Sequence, residues 1–274
     1  MNEREKEKLD EIEHWLRMGV LEAEKGDMNK SIEAFSTVLE IDPNNIDALE
    51  YLGTIFQNLR LFDKAIEYYN KVLDISPGDL TVMSELGNVN YALENYEKAI
   101  KYYSLVLEAK PDDLKTLLNK GLAHDGLNDV KGAIECYEQV LEIEPDSAVA
   151  WVNLGTAHIN LNSLEKAREY YEKALEIEPN YEKALMNLGN ILFMQNEIDK
   201  SLELIKKAVI QNPNYVMAWI NLGIIYQEVG ELHHALYCFQ KATEIGDAYA
   251  KTRATELSEK DIIPKDPLIE VKED

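Results

Sequence analysis

The sequence predicts an all-α chain built as a linear array of stacked helix pairs, and three observations predict it. Six prolines, Pro43, Pro77, Pro111, Pro145, Pro179 and Pro213, follow one another at intervals of 34 residues. A fixed period of this length marks one supersecondary unit copied along the chain. Each period holds two apolar runs at helical spacing, and in most copies a residue suited to positive φ stands between them. A unit of this kind cannot bury its apolar face alone, so stability comes from interfaces between neighbours.

The last full copy, residues 216–249, shows the design. Met217 to Val229 carries Ala218, Trp219, Leu222, Gly223, Ile225 and Tyr226 at the spacing of one helix face. Gly230 follows where a helix end favours a residue at positive φ. Leu232 to Ile245 is a second run, with Ala235, Leu236, Phe239 and Ala242 on one side. The turn position holds Gly26, Asn128, Asn162 and Asn196 in other copies, Asn being the next best residue there. Arg60 and Glu94 break the pattern, so those two turns are expected to be less tightly formed. Small residues recur in the second helix at Ser31, Ala65, Ala99, Ala133, Ala167, Ser201 and Ala235, letting two backbones approach. Four residues later come Phe35, Tyr69, Tyr103, Tyr137, Tyr171, Ile205 and Phe239, expected to fill the space between neighbouring units. The recurring Pro stops the second helix and opens the link to the next unit.

Read in this register, the chain divides into a charged N-terminal extension (1–11), seven units, a capping helix (250–260) and an extended or disordered tail (261–274). The units are 12–45, 46–79, 80–113, 114–147, 148–181, 182–215 and 216–249. The capping helix, traced from Asp247, is expected to turn Tyr249, Ala250 and Leu257 inward and Lys251, Arg253, Glu256 and Lys260 outward. The fourth unit departs furthest from the pattern. Lys120 replaces a packing Leu, and Gly126 and Gly132 weaken its helices. The array is expected to open first near 114–147.

Composition narrows the function classes. Against 28 Lys and Arg stand 51 Asp and Glu, a formal charge of −23. Such a chain lacks the basic stripe that nucleic-acid backbones require and is disfavoured at anionic membranes, whereas basic partners are allowed. Met1 to Glu13 lacks the apolar stretch of a signal peptide. No apolar run approaches the roughly 20 residues that span a bilayer. Cys136 and Cys238 share one phase of the repeat three units apart, beyond the roughly 7 Å Cα separation a disulfide tolerates. Free thiols and the missing leader suggest a cytoplasmic chain. There is no Walker loop, no Gly-rich dinucleotide turn and no Cys/His set at metal spacing. His124 and His158, at the same position of adjacent units, read as buried stand-ins for Tyr, and His233 and His234 as surface and packing residues. No catalytic residue, cofactor or metal ligand is assigned, and the expectation is a non-enzyme.

These residues resemble the tetratricopeptide repeat, whose pattern is Trp-x2-Leu-Gly-x2-Tyr, Ala-x3-Phe, Pro. Trp219, Leu222, Gly223, Tyr226, Ala235 and Phe239 match it save for the final Pro. Trp151, Leu154, Gly155, Ala167, Tyr171 and Pro179 match with His158 in the Tyr slot. The resemblance implies a right-handed α-solenoid, a superhelix whose first helices line the concave groove. Counting from the first residue of each unit, positions 4, 8 and 11 pack inside it and positions 3, 7 and 10 against neighbours. Positions 2, 5, 6, 9, 12 and 13 form the stripe that faces the groove in the family.

Position 6 carries Asn119, Asn153, Asn187 and Asn221 in four successive units. An amide offers both donor and acceptor. The row resembles the asparagine ladder lining the repeats of O-linked N-acetylglucosamine transferase, which implies pairing with the backbone of an extended peptide. Asn at this position also serves to tie neighbouring helices together, and that reading stays open. The first half of the stripe is acidic, with Glu13, Glu24, Asp47, Glu50, Glu85 and Asp125. The second half is apolar, with Val149, Val152, Ile159, Met186, Phe193, Met194, Met217, Ile220 and Ile224. Asn190, Asn221 and Lys251 are fragments of the family's carboxylate clamp, but Met186 and Thr255 stand where its other two cations belong. The expected activity is that of a scaffold or adaptor binding an extended partner segment through Asn119, Asn153, Asn187, Asn190, Asn221, Met186, Phe193, Met194, Met217 and Ile220. The rival readings are a self-associating array whose groove is filled by another copy or by its own tail through Ile262, Ile263, Leu268 and Ile269, and a regulatory subunit of a separately encoded enzyme.

Overall fold

A computed structural model describes residues 3–260 and 262–268. Every regular element among them is a helix. The first eight are α1 (Glu3–Glu24), α2 (Met28–Ile41), α3 (Ile46–Asn58), α4 (Phe62–Ile75), α5 (Leu80–Ala92), α6 (Tyr96–Ala109), α7 (Leu114–Gly126) and α8 (Val130–Ile143). The rest are α9 (Ala148–Asn160), α10 (Leu164–Ile177), α11 (Glu182–Met194), α12 (Ile198–Gln211), α13 (Val216–Glu228), α14 (Leu232–Glu244) and α15 (Ala248–Ser258). They form two compact bodies, Met1–Cys136 and Tyr137–Asp274, whose boundary falls inside α8.

Each body is a stack of helix pairs. In the N-terminal body α1 packs on α2, α3 on α4 and α5 on α6, and each second helix then meets the first helix of the following pair. In the C-terminal body the pairs are α9–α10, α11–α12 and α13–α14, with α15 closing on α14. This is the all-α solenoid class that the 34-residue period predicts.

Seven turns joining first to second helices share one geometry. In each, the residue after the positive-φ position donates its N–H to the carbonyl five residues earlier, as in Asp27 to Glu22 (2.9 Å), Leu61 to Phe56 (2.8 Å) and Glu231 to Tyr226 (2.8 Å). Arg60 and Glu94 adopt φ of 58° and 59°, beside 58° at Asn128. Their turns close at 2.8 Å like the others, so the looser turns expected from these residues do not occur. Packing of the flanking helices on both sides fixes the chain reversal and forces two ordinary side chains into the left-handed region.

The recurrent glycine of the first helix and the large residue of the second are one device. A Cβ on Gly53 would lie 2.5 Å from the Tyr69 ring, on Gly87 2.4 Å from Tyr103, and on Gly155 2.6 Å from Tyr171. The aromatic ring therefore sits on the first helix of its own unit, a contact the reading as a filler between units did not include, and Tyr171 in addition faces the next unit beside Asn187. The small residue four positions earlier, fully buried from Ser31 to Ala235, brings the two helices close enough for that contact. In the fourth unit, Gly126 and Gly132 likewise answer to packing. A Cβ would meet the Tyr96 ring at 2.6 Å in the first case and His124 Nδ1 at 2.4 Å in the second.

Between units the chain is tied by polar contacts. Asn45, Asp79 and Asp113 cap α3, α5 and α7, accepting the backbone N–H of Ala48, Val82 and Thr116 at 2.8 to 3.0 Å. Each such cap contributes about 1 kcal/mol. In the C-terminal body Trp151 and Trp219 donate their indole N–H to the carbonyls of Pro145 (2.8 Å) and Pro213 (2.9 Å), pinning the link that enters the unit.

Asp247 caps α15 by accepting from Ala250 N–H at 2.7 Å. Ala250, Ala254 and Leu257 face the core, but Tyr249 is 51% exposed. Residues 250, 254 and 257 share one helix face, and a neighbour one residue away is rotated off it. Arg253, expected outward, lies on the flank of that face and donates to Gln227 on α13 at 2.5 Å.

Candidate functional site

The stripe of first-helix positions divides once burial is known. Position 5 belongs to the core in the C-terminal body: Val152, Met186 and Ile220 are 3%, 8% and 6% exposed. Met186 and Ile220 join the cluster around Leu185, Trp219 and Leu222. The reason is that α11 touches α13 directly, so the flank of a first helix meets the next first helix. These two residues, counted as ligand contacts from the sequence, hold the array together instead. Phe193 is half-buried against the same core, whereas Met194 and Met217 are 58% and 52% exposed.

The asparagine row also divides. In the N-terminal body Asn119 donates to Asn88 Oδ1 at 3.1 Å, and the same oxygen accepts from Tyr103 OH at 2.9 Å. Asn88 in turn donates to Glu85, which also accepts from Gln57 (2.9 Å), and Gln57 accepts from Tyr69 OH (2.9 Å). One chain of side-chain hydrogen bonds thus joins α3, α4, α5, α6 and α7, and Asn119 is committed to it. Burial pushes the Tyr69 hydroxyl up to about 12 and the Tyr103 hydroxyl further, so both remain protonated donors at neutral pH.

In the C-terminal body the amides are freer. Asn187 lines one cleft with the Tyr171 hydroxyl, which lies 3.1 Å from Thr156 Oγ1. Asn153, Asn190 and Asn221 have no hydrogen-bond partner among the described residues and are half-buried. A cleft of about 230 Å³ opens between α9 and α11, lined by Thr156, Ile159, Tyr171, Asn187, Asn190, Ile191 and Met194. It offers two amides and two hydroxyls between aliphatic walls, a surface suited to an extended backbone with apolar side chains. The hydroxyls of Tyr171 and Thr156 were not anticipated from the sequence. The available signal was Tyr in place of Phe at a buried packing position, because a buried phenol needs a polar partner.

The tail lies elsewhere. His233 Nδ1 and Ile263 O are 2.7 Å apart, Lys265 N–H donates to His233 O at 3.0 Å, and Tyr237 OH donates to Asp266 at 2.8 Å. Residues 262–268 therefore run along the second helix α14, with Ile262 and Leu268 against its core. The plug of the rival reading does not form on the first-helix face from Ile262, Ile263 or Leu268, and Ile269 lies outside the described residues.

His158 is buried against Tyr170, its ring held below the ordinary range by burial. His124 sits 2.8 Å from Asp129. Both thiols are free and buried; burial pushes Cys136 up to about 11 and Cys238 higher still. Among the described residues no group of His, Cys, Asp and Glu is arranged to hold a metal ion. No described helix is long and apolar enough to cross a membrane.

Models of the tetratricopeptide repeat match residues 12–45, 44–112 and 114–147. The model of the cytochrome c-type biogenesis protein H TPR domain matches residues 138–253. The chain belongs to the tetratricopeptide repeat family. Solved structures give the same fold. A tetratricopeptide repeat protein from Parabacteroides merdae is 18% identical with a TM-score of 0.78, over 91% of this chain and 99% of that one. Yeast Tom70 is 16% identical with a TM-score of 0.65, over 91% of this chain and 54% of that one. MamA from Desulfovibrio magneticus is 20% identical with a TM-score of 0.60, over 63% of this chain and 97% of that one. No curated protein matches the sequence. At these identities the likeness is one of fold, and the fold of this tetratricopeptide repeat protein is that of a protein-interaction scaffold.

Proposed function

We propose that this tetratricopeptide repeat protein is a non-enzymatic cytoplasmic adaptor that holds an extended segment of a partner protein against its first helices, chiefly in the C-terminal body. The cleft between α9 and α11 carries the reading, because it sets amides with unused hydrogen-bonding capacity beside exposed apolar side chains. Asn153, Asn190 and Asn221 pair with the partner's backbone, and Asn187 joins them beside Tyr171. Met194, Met217, Ile159 and the edge of Phe193 take its apolar side chains. Asn119 does not take part, since its amide is spent on Asn88.

The test is a photo-crosslinking residue placed at position 190, with position 199 on α12 as control, in cell lysate. Adducts formed from 190 alone, and lost when Asn153→Ala, Asn187→Ala and Asn221→Ala are added at unchanged helicity, are expected. Equal labelling from both positions, or adducts indifferent to the triple variant, would remove the site. The match over 138–253 favours a second reading, a part in cytochrome c biogenesis as that model's name has it. Normal c-type cytochrome levels in a strain lacking this protein would end that reading.

A further inference from the structure

A second pocket, distinct from the cleft above, lies between α1 and α3 in the N-terminal body and measures about 480 Å³. It is lined by Leu16, Val20 and Leu21 on α1, by Tyr51 on α3, and by three charged residues, Arg17, Glu24 and Asp47. The Tyr51 ring stacks on Phe35 at 4.7 Å and is held in place by it. Glu50 follows on α3, half-buried, its carboxyl raised by burial and by the nearby charges of Asp79 and Asp47.

The charges around this pocket do not balance. Arg17 is paired with Glu13, Lys25 with Glu22 and Lys30 with Asp27. Glu24, Asp47 and Glu50 have no ion pair among the described residues. An apolar pocket with two unpaired carboxylates in its lining, its own Arg17 being paired with Glu13, complements one kind of group: a long side chain with an aliphatic stem and a cationic head.

We propose that the α1–α3 pocket receives an arginine or lysine side chain from a partner segment in which that residue is flanked by apolar ones. The stem lies along Leu16, Val20 and Leu21, and the head reaches Glu24 and Asp47 beside the Tyr51 ring. Opposite charge and apolar area in the pocket lining argue for this occupant together. An acidic segment is repelled, and a purely apolar one leaves the carboxylates unpaired.

The probe is a fluorescein-labelled nonapeptide of alternating arginine and leucine, with counterparts carrying glutamine or glutamate in place of arginine. Fluorescence anisotropy is read with the full chain at low and moderate salt. The arginine peptide is expected to bind, and Glu24→Gln with Asp47→Asn to weaken it about ten-fold and flatten its salt dependence. Leu21→Ser, at an exposed position, is expected to weaken it as well. Removing the same number of charges from the second helix α6, by Glu97→Gln with Glu108→Gln, is expected to change nothing. Equal weakening by both double variants would reduce the attraction to the general field of an acidic chain and overturn the proposal. So would binding of the glutamine peptide as tightly as the arginine peptide, or no binding of either. The Asn153→Ala, Asn187→Ala, Asn221→Ala variant is expected to bind the arginine peptide like the native chain, so failure here leaves the α9–α11 cleft to its own test.

Discussion

Replacing Arg60 by glycine is expected to stabilise this protein, although it removes a side chain and creates no contact. Arg60 holds φ of 58°. A residue with a Cβ pays about 1–2 kcal/mol for the left-handed region. Glycine relieves that strain but gives the unfolded chain more freedom, which takes back about 0.5–1 kcal/mol. The side chain is exposed and makes no hydrogen bond or ion pair among the described residues, so its loss costs little. The net expectation is a gain of about 0.5–1 kcal/mol, and the same for Glu94→Gly, whose φ is 59°. Arg60→Ala is the decisive control, because alanine keeps the Cβ and the strain. Arg60→Asn should fall between glycine and alanine, since a short polar side chain tolerates this region better. Urea unfolding followed by far-ultraviolet circular dichroism reads the midpoint of each variant. A glycine variant no more stable than the alanine one would refute the reasoning, and would mean that the turn relaxes out of the left-handed region at no cost.

Three further outcomes are expected. Gly87→Ala should destabilise by about 1–3 kcal/mol despite alanine's better helix propensity, because its Cβ would press on the Tyr103 ring at 2.4 Å; Gly78→Ala, with nothing within 4 Å, should be near neutral in the same urea titration. Ending the chain after Lys260 should lower hydrogen-exchange protection in α14 by removing the bonds from His233 and Tyr237 to the tail, while protection in α3–α6 stays unchanged; unaltered exchange in α14 would show that the tail does not hold it. Burial lowers the titration range of His158 and His234 in the folded chain, so the unfolded chain binds protons first as pH falls. Stability is then full above about pH 6.5, the ordinary histidine value, and declines below it. A His158→Phe, His234→Phe variant should show a smaller drop in urea midpoint between pH 7.5 and 5.5 than the native chain.

Much of this molecule is legible in one dimension. A 34-residue period, two helical apolar runs per period and a breaker between them determine the class of fold, because local propensity and turn chemistry act within a single unit. The recurrence of a glycine and of a large residue sixteen positions later is visible in the sequence, but that the two meet within one unit, as Gly53 and Tyr69 do, only the packing shows. The sequence also shows which residues line the first-helix stripe and that its two halves differ in charge and polarity.

Tertiary structure decided what those residues are free to do. Met186 and Met194 look alike as apolar members of one stripe, yet the first is buried where α11 meets α13 and the second stands open. Asn119 and Asn153 occupy the same position of adjacent units, yet one is consumed by a hydrogen bond to Asn88 and the other is not. Arg60 and Glu94 lack the turn residue's chemistry and take its conformation all the same. The physical reason is common to all three. Periodicity fixes the face on which a side chain lies, but burial, hydrogen-bond commitment and backbone strain depend on the neighbouring helix. That neighbour is set by packing energies summed over the whole interface.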